Sequence, residues 1–243
     1  MAFTCRQYPD FTIACDTYEV TGRTLSCTYV ANRIVREKSK TKLIVEGKSN
    51  DEYENEIFHI VNKCIGIAQD DSIKYRDREK AIIDYIRKEQ MYLVEKFKVD
   101  EIFMTEDNKT IWDYCDTLNS LNVVTEKWPK ILSQLEELEY SENDIVKFEE
   151  YLGDREKEYE NILVYFLYKH IMYGTNDGNV FQRVRFAIIA TRIIFMVGLM
   201  EFIENEEFTT EDNIKVAYIF SKEIEHDDEN IDTILEDISL GMI

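Results

Sequence analysis

The sequence predicts a mainly α-helical protein, a bundle around one long buried C-terminal helix with a small irregular or β segment at the N-terminus. Three observations carry this. Residues 186–200 read FAIIATRIIFMVGLM, in which 12 of 15 are apolar and only Arg192 is charged. A helix apolar on all sides belongs inside a protein with other helices against most of its faces. Two prolines and eight glycines in 243 residues supply little turn material for an all-β fold. Apolar spacings of i, i+3, i+4 recur from residue 53 to residue 238.

Taken in order, TIACDTYEVTGRTLSC alternates loosely, which predicts a hairpin turning at Thr21-Gly22. Ser26 is placed to cap a helix from Cys27 to about Glu37, and TKLIVEG (41–47) has the composition of a short strand. Tyr53, Ile57, Ile60, Val61, Cys64 and Ala68 form an unbroken stripe. Ile82, Ile86, Leu93 and Phe97 mark the inner face of the next helix. A boundary falls near 50, leaving 1–50 as a cysteine-containing N-terminal segment and 51–243 as a helical domain, with a subdivision possible in the loop at 104–110. Helices are expected at about 111–120, 128–139 and 143–152, the second started by Trp128-Pro129. Next comes EYENILVYFLYKHIMYGTNDG, with Tyr159, Ile162, Leu163, Phe166 and His170 on one stripe, then the long helix, with Phe195 inside the core. The last two helices join at His226.

The formal charge of −20 excludes nucleic acid as a partner, because no basic surface exists to neutralise phosphates. It suits a lysine-bearing protein surface, or simply solubility. The N-terminus has no basic-then-apolar leader pattern. The 186–200 run is shorter than the roughly 20 residues a bilayer requires and is broken by Arg192, so no membrane is expected. Five unevenly spaced cysteines form no disulfide framework, which predicts a reducing, cytoplasmic setting.

Four groups of residues are candidates for chemistry. EIEHDDEN places Glu223, Glu225, His226, Asp227, Asp228 and Glu229 together. A carboxylate–imidazole pair, Glu225 with His226, can orient an ammonium and accept its proton. The plainer alternative is that Asp227 caps the last helix while its neighbours favour the helix dipole. Asp177, Arg183 and Arg185 lie around the Asp177-Gly178 turn and are candidates for substrate binding, the arginines suiting a substrate or donor carboxylate. Equally, Arg183, Arg185 and Arg192 could pair internally with the 223–229 acids. Cys5 and Cys27, with Cys15 as a third thiol, supply at most part of a metal site, and they read equally as small buried cysteines. His170, on an apolar stripe, reads as a satisfied core histidine.

The succession of a YFLYKH helix, the Asp177-Gly178 turn, the long apolar helix and FSKEIEHDDEN resembles the C-terminal half of bacterial flagellin lysine-N-methylases. The CRQYPDF…LSC stretch (Cys5 to Cys27) is similar to the middle of those proteins. The resemblance implies methyl transfer from S-adenosylmethionine to flagellin lysines, with flagellin or another lysine-bearing protein as partner. It also implies a cysteine cluster upstream of Cys5 that this chain does not contain. An iron–sulfur or other metal cluster, and activity of the chain alone, therefore stay open. No G-x-G-x-x-G follows a strand here, so the donor site is not of the dinucleotide-fold type. The alternative function is a non-catalytic helical interaction module with an acidic face.

Overall fold

A computed structural model describes residues 8–17, 19–47, 49–104 and 109–243. A hairpin, β1 (Asp10–Ala14) and β2 (Glu19–Arg23), leads into α1 (Thr28–Val35), α2 (Glu52–Ala68) and α3 (Tyr75–Phe97). Then come α4 (Ile111–Ser120), α5 (Trp128–Glu136), α6 (Glu142–Leu152) and, after a short 3₁₀ turn, α7 (Glu156–Met172). One helical turn (Gly174–Asp177) precedes α8 (Val180–Asn205), followed by α9 (Thr210–Ile224) and α10 (Asp228–Leu240). The mainly α expectation holds, with strand confined among the described residues to the N-terminal hairpin.

The long helix α8 is the centre of the bundle, packed by α7, α3, α9, α10, α5 and α6. Its 26 residues are long and apolar enough to cross a bilayer, but 72% of its most apolar window is buried inside the protein, as in the core helix of a soluble fold. Its start is held by α3. Buried Gln90 accepts from the Val180 and Phe181 amides at 3.0 and 3.1 Å and donates to the Gly178 carbonyl at 2.9 Å. Those amides have no partner within the helix, so the side chain closes an otherwise open end. Three capping boxes, Thr110/Asp113, Ser141/Asp144 and Thr209/Asp212, start α4, α6 and α9. Asp51 and Asp227 cap α2 and α10.

Several local expectations are corrected. Thr21 and Gly22 lie within β2, not in the turn, and Gly22 pairs with Phe11. The Phe11 ring lies where a Cβ on residue 22 would be, 2.5 Å from it, so the glycine makes room for an aromatic ring. Ser26 does not cap α1, whose N-cap is Cys27 with no side-chain hydrogen bond. Residues 41–47 form no strand. Phe195 is only partly buried, packing against Phe148 and Tyr159 at 5.1 and 5.3 Å. Of the 104–110 boundary, residues 105–108 lie outside the described ones.

Candidate functional site

Glu225, at the C-terminal end of α9, points a fully buried carboxylate at the end of α7. Oε1 meets the Lys169 ammonium at 2.7 Å and His170 Nε2 at 3.0 Å. Oε2 accepts from the Tyr165 hydroxyl at 2.9 Å and from the Ser221 hydroxyl. Tyr165 and Lys169 are one turn apart on α7, as Ser221 and Glu225 are at the end of α9, so two i, i+4 pairs converge. Burial alone would raise the Glu225 carboxyl, but Lys169 and His170 more than offset it and hold it well below the usual carboxylate range. Burial would likewise lower Lys169, and the facing Glu225 raises it instead, so it stays an ammonium. Burial pushes His170 down against the pull of Glu225. The ring is then neutral, and its Nε2–H donates to the carboxylate. The Lys169 ammonium also lies 5.1 Å from the Phe11 ring centre, the ring that Gly22 accommodates.

A chain of hydroxyls runs from this buried pair to the surface. Tyr165 Oη is 3.4 Å from Thr24 Oγ1, Thr24 is 2.9 Å from Ser26 Oγ, and Ser26 is 2.6 Å from His226 Nε2. Glu225 and His226, adjacent in sequence, are thus joined a second time through three side chains of α7 and the β2–α1 connection. Tyr8 sets its ring edge-on to His226 and donates to the Ser26 carbonyl. His226 is solvent-exposed on one side. Partial burial lowers its pKa, Glu225 opposes this, and Lys169 and Lys222 add to it, so the imidazole is neutral near pH 7.

Beside Tyr165 a cleft of about 480 Å³ opens between the hairpin, α1 and α7. Phe11, Tyr29, Tyr165 and Tyr168 give it aromatic walls, and Arg23, Arg33, Glu37 and Asn161 give it polar ones. Asn161 is 3% exposed and donates its amide to the Val35 and Glu37 carbonyls at 3.3 and 2.8 Å. Both partners are acceptors, which fixes the amide orientation. Its Oδ1 is then a buried acceptor with no hydrogen-bond partner.

The other candidate residues lie elsewhere or do structural work. Arg183 pairs with Asp177 rather than with the 223–229 acids, and its guanidinium covers the Tyr173 ring at 5.4 Å. Arg192 pairs with Glu79 at 2.8 Å. Arg185 is 1% exposed, inside the bundle. Glu223 accepts from the Val124 and Thr125 amides, both at 2.7 Å, and so ties down the loop before α5. Cys5 lies outside the described residues. Cys27 is half-buried at the start of α1, and Cys15 Sγ is 3.5 Å from Thr175 Oγ1 with its thiol pushed up by burial. Among the described residues, which do not include Cys5, no group of three or more His, Cys, Asp or Glu side chains is placed to hold a metal ion.

Sequence reasoning singled out Glu225 and His226 but missed Tyr165, Lys169, Ser26 and Asn161. The available signal was Lys169, a cation one turn after Tyr165 in a helix that is otherwise apolar there. The model of the FliB lysine N-methylase C-terminal domain family matches residues 62–240. No curated protein and no solved structure matches the chain. The matched span holds Lys169, Glu225 and His226, while the hairpin and Ser26 precede it.

Proposed function

The chain belongs to the FliB lysine N-methylase C-terminal domain family, and from that premise we propose that it transfers methyl groups from S-adenosylmethionine to lysine side chains of flagellin. The observation that carries this is the aromatic cleft whose Tyr165 wall connects to Glu225 and, through hydroxyls, to the exposed neutral His226.

The cleft's side chains fit the donor's chemistry. Tyr29 and Tyr168 suit stacking of an adenine, Arg33 suits a carboxylate, and Glu37 suits an ammonium or ribose hydroxyls. Asn161 Oδ1 calls for an N–H donor, which a nucleobase amino group or an ammonium supplies. Bound there, the donor would supply an electrophilic sulfonium methyl.

A target lysine starts as an ammonium with a pKa near about 10.4 and must lose a proton before its nitrogen can attack carbon. His226 is the group for that task, being exposed, neutral and backed by Ser26. Glu225 acts differently from a substrate carboxylate. Four groups of the chain itself already occupy it, so it is a positioning residue that fixes Tyr165 and Lys169. Arg183, Arg185 and Asp177 are not required by this scheme.

The same saturation of Glu225 favours a second reading, a non-catalytic module that keeps the family fold and binds a lysine-bearing protein. Calorimetric titration with S-adenosylmethionine separates the two. Binding that weakens about tenfold or more in Asn161→Ala supports the enzyme, at the level expected for one buried hydrogen bond. No binding to the folded chain supports the module.

A further inference from the structure

Among the described residues the hairpin forms a two-stranded sheet, and no strand lies along the outer edge of β2. In the register, Phe11 faces Gly22 and Ile13 faces Val20. The Thr24 amide donates to the Pro9 carbonyl at 2.9 Å, which continues that register and makes 9–24, 11–22 and 13–20 the hydrogen-bonded pairs. Glu19, Thr21 and Arg23 therefore turn their amides and carbonyls outward. Tyr168 bears this out by donating its hydroxyl to the Thr21 carbonyl at 2.6 Å.

Opposite that edge runs the 43–47 segment, strand-like in composition but unpaired, with Ile44 88% and Val45 54% exposed. Clefts of about 320 and 530 Å³ lie between the two. Tyr168 lines both of these and also the 480 Å³ cleft, so the groove is continuous with the candidate site. Glu19 and Glu46 line both clefts, Lys42 lines the larger one, and Arg23 on the same edge is neutralised by Asp10 at 3.0 Å. That edge, in a chain of formal charge −20, repels nucleic acid and a second copy of itself and attracts a basic segment.

We propose that an extended, lysine-bearing segment of the protein substrate docks as a third strand between β2 and residues 43–46. The inference rests on the lysine-methylation reading for the identity of the occupant. Main-chain bonds to Glu19, to Arg23 and to the Thr21 amide supply the register, the Thr21 carbonyl staying with Tyr168, and alternate side chains meet Tyr168 on one face and solvent on the other. Ile44 and Val45 cover the outer side, and Glu19 and Glu46 select for lysine.

The test uses a capped synthetic peptide alternating lysine and threonine, with a glutamate-for-lysine version as control. Amide hydrogen exchange by NMR should slow at Glu19, Thr21 and Arg23 and stay unchanged at Val20 and Gly22, which are already bonded to β1. Thr21→Pro removes one outward amide on an edge strand, where proline is tolerated, and should weaken binding about tenfold or more while the circular dichroism spectrum is kept. Uniform or absent protection, undiminished binding by Thr21→Pro, or equal binding of the glutamate peptide would overturn the proposal. Docking without methyl transfer would leave it standing and remove the enzyme reading. Flagellin methylation without the alternating protection would do the reverse.

Discussion

Lys169 and Glu225 meet at 2.7 Å with the carboxylate side chain fully buried and the lysine side chain 8% exposed. The pair joins the ends of α7 and α9, next to a surface histidine and an aromatic cleft. It also answers what an acid in that position does, since the ammonium it orients belongs to the chain itself.

Glu225→Gln leaves the Lys169 ammonium buried without its counter-charge, a change expected to cost about 3–5 kcal/mol. Adding Lys169→Met should recover most of that loss, because replacing both partners removes the unpaired charge. Urea denaturation of the four proteins of the cycle measures it. A single-mutant cost below about 1 kcal/mol would mean that the pair does not hold the helices together.

The pair also predicts a pH dependence. The folded-state pKa of Glu225 is depressed, so its contribution is fully present above the unfolded value of about 4.3 and is lost as pH falls through the folded value. His170, depressed by burial, acts in the same direction below about 6.5, because protons then favour the unfolded chain. Lys169 is raised, so its contribution is present below about 10.4 and is lost only on going more alkaline. Glu225 also holds the His170 pKa up, so Glu225→Gln depresses that histidine further. The stability difference between the two proteins should be flat only from about pH 7 to 9, widen slightly as histidines titrate below about 6.5, and shrink once pH falls below about 4.3. A difference that does not shrink below about pH 4 would contradict the assignment.

Gly22→Ala would put a methyl group 2.5 Å from Cζ of Phe11 and 3.2 Å from Tyr168. The ring must leave its place over Lys169, at a cost of about 1–3 kcal/mol. Because Phe11 and Tyr168 both line the cleft, affinity for S-adenosylmethionine should fall together with thermal stability. A variant that keeps both would show that the Phe11 ring is not held there by contact with residue 22.

How much of this was legible in the sequence varies with the range of the interaction. The centre of the bundle was readable because α8 has no polar stripe, and a helix of that kind has nowhere to go but inside. Asp227 was readable as a cap because capping is local, an acid two residues before the amide it accepts from. Gly22 misled because a glycine in a strand run suits a turn as well as a close approach, and only the Phe11 ring decides between them. The 41–47 run has strand composition, but strand formation needs a partner, and none of the described residues pairs with it. Glu225 was identified by chemistry, yet its partners on α7 lie 55 to 60 residues away and periodicity does not report them. Arg192 was misassigned for the same reason, since its partner Glu79 lies 113 residues away. Arg183 was misassigned in the opposite sense, because Asp177 on the preceding turn is nearer than the 223–229 acids in sequence as well as in space.

In the proposed reaction His226 takes the proton from a substrate lysine while Glu225 positions the groups behind it. Intact-mass spectrometry of unmethylated flagellin incubated with the chain and S-adenosylmethionine tests this. His226→Ala removes one hydrogen bond, to Ser26, which keeps its bond to Thr24, so stability should fall by only about 0.5–1.5 kcal/mol and the chain stay folded. Successive single-methyl mass steps are expected with the parent chain, and their loss in His226→Ala. With the parent chain, the rate should fall in acid below the ordinary histidine pKa, the direction in which His226 is shifted. No mass step from the folded parent chain, or steps that persist in His226→Ala, would contradict it.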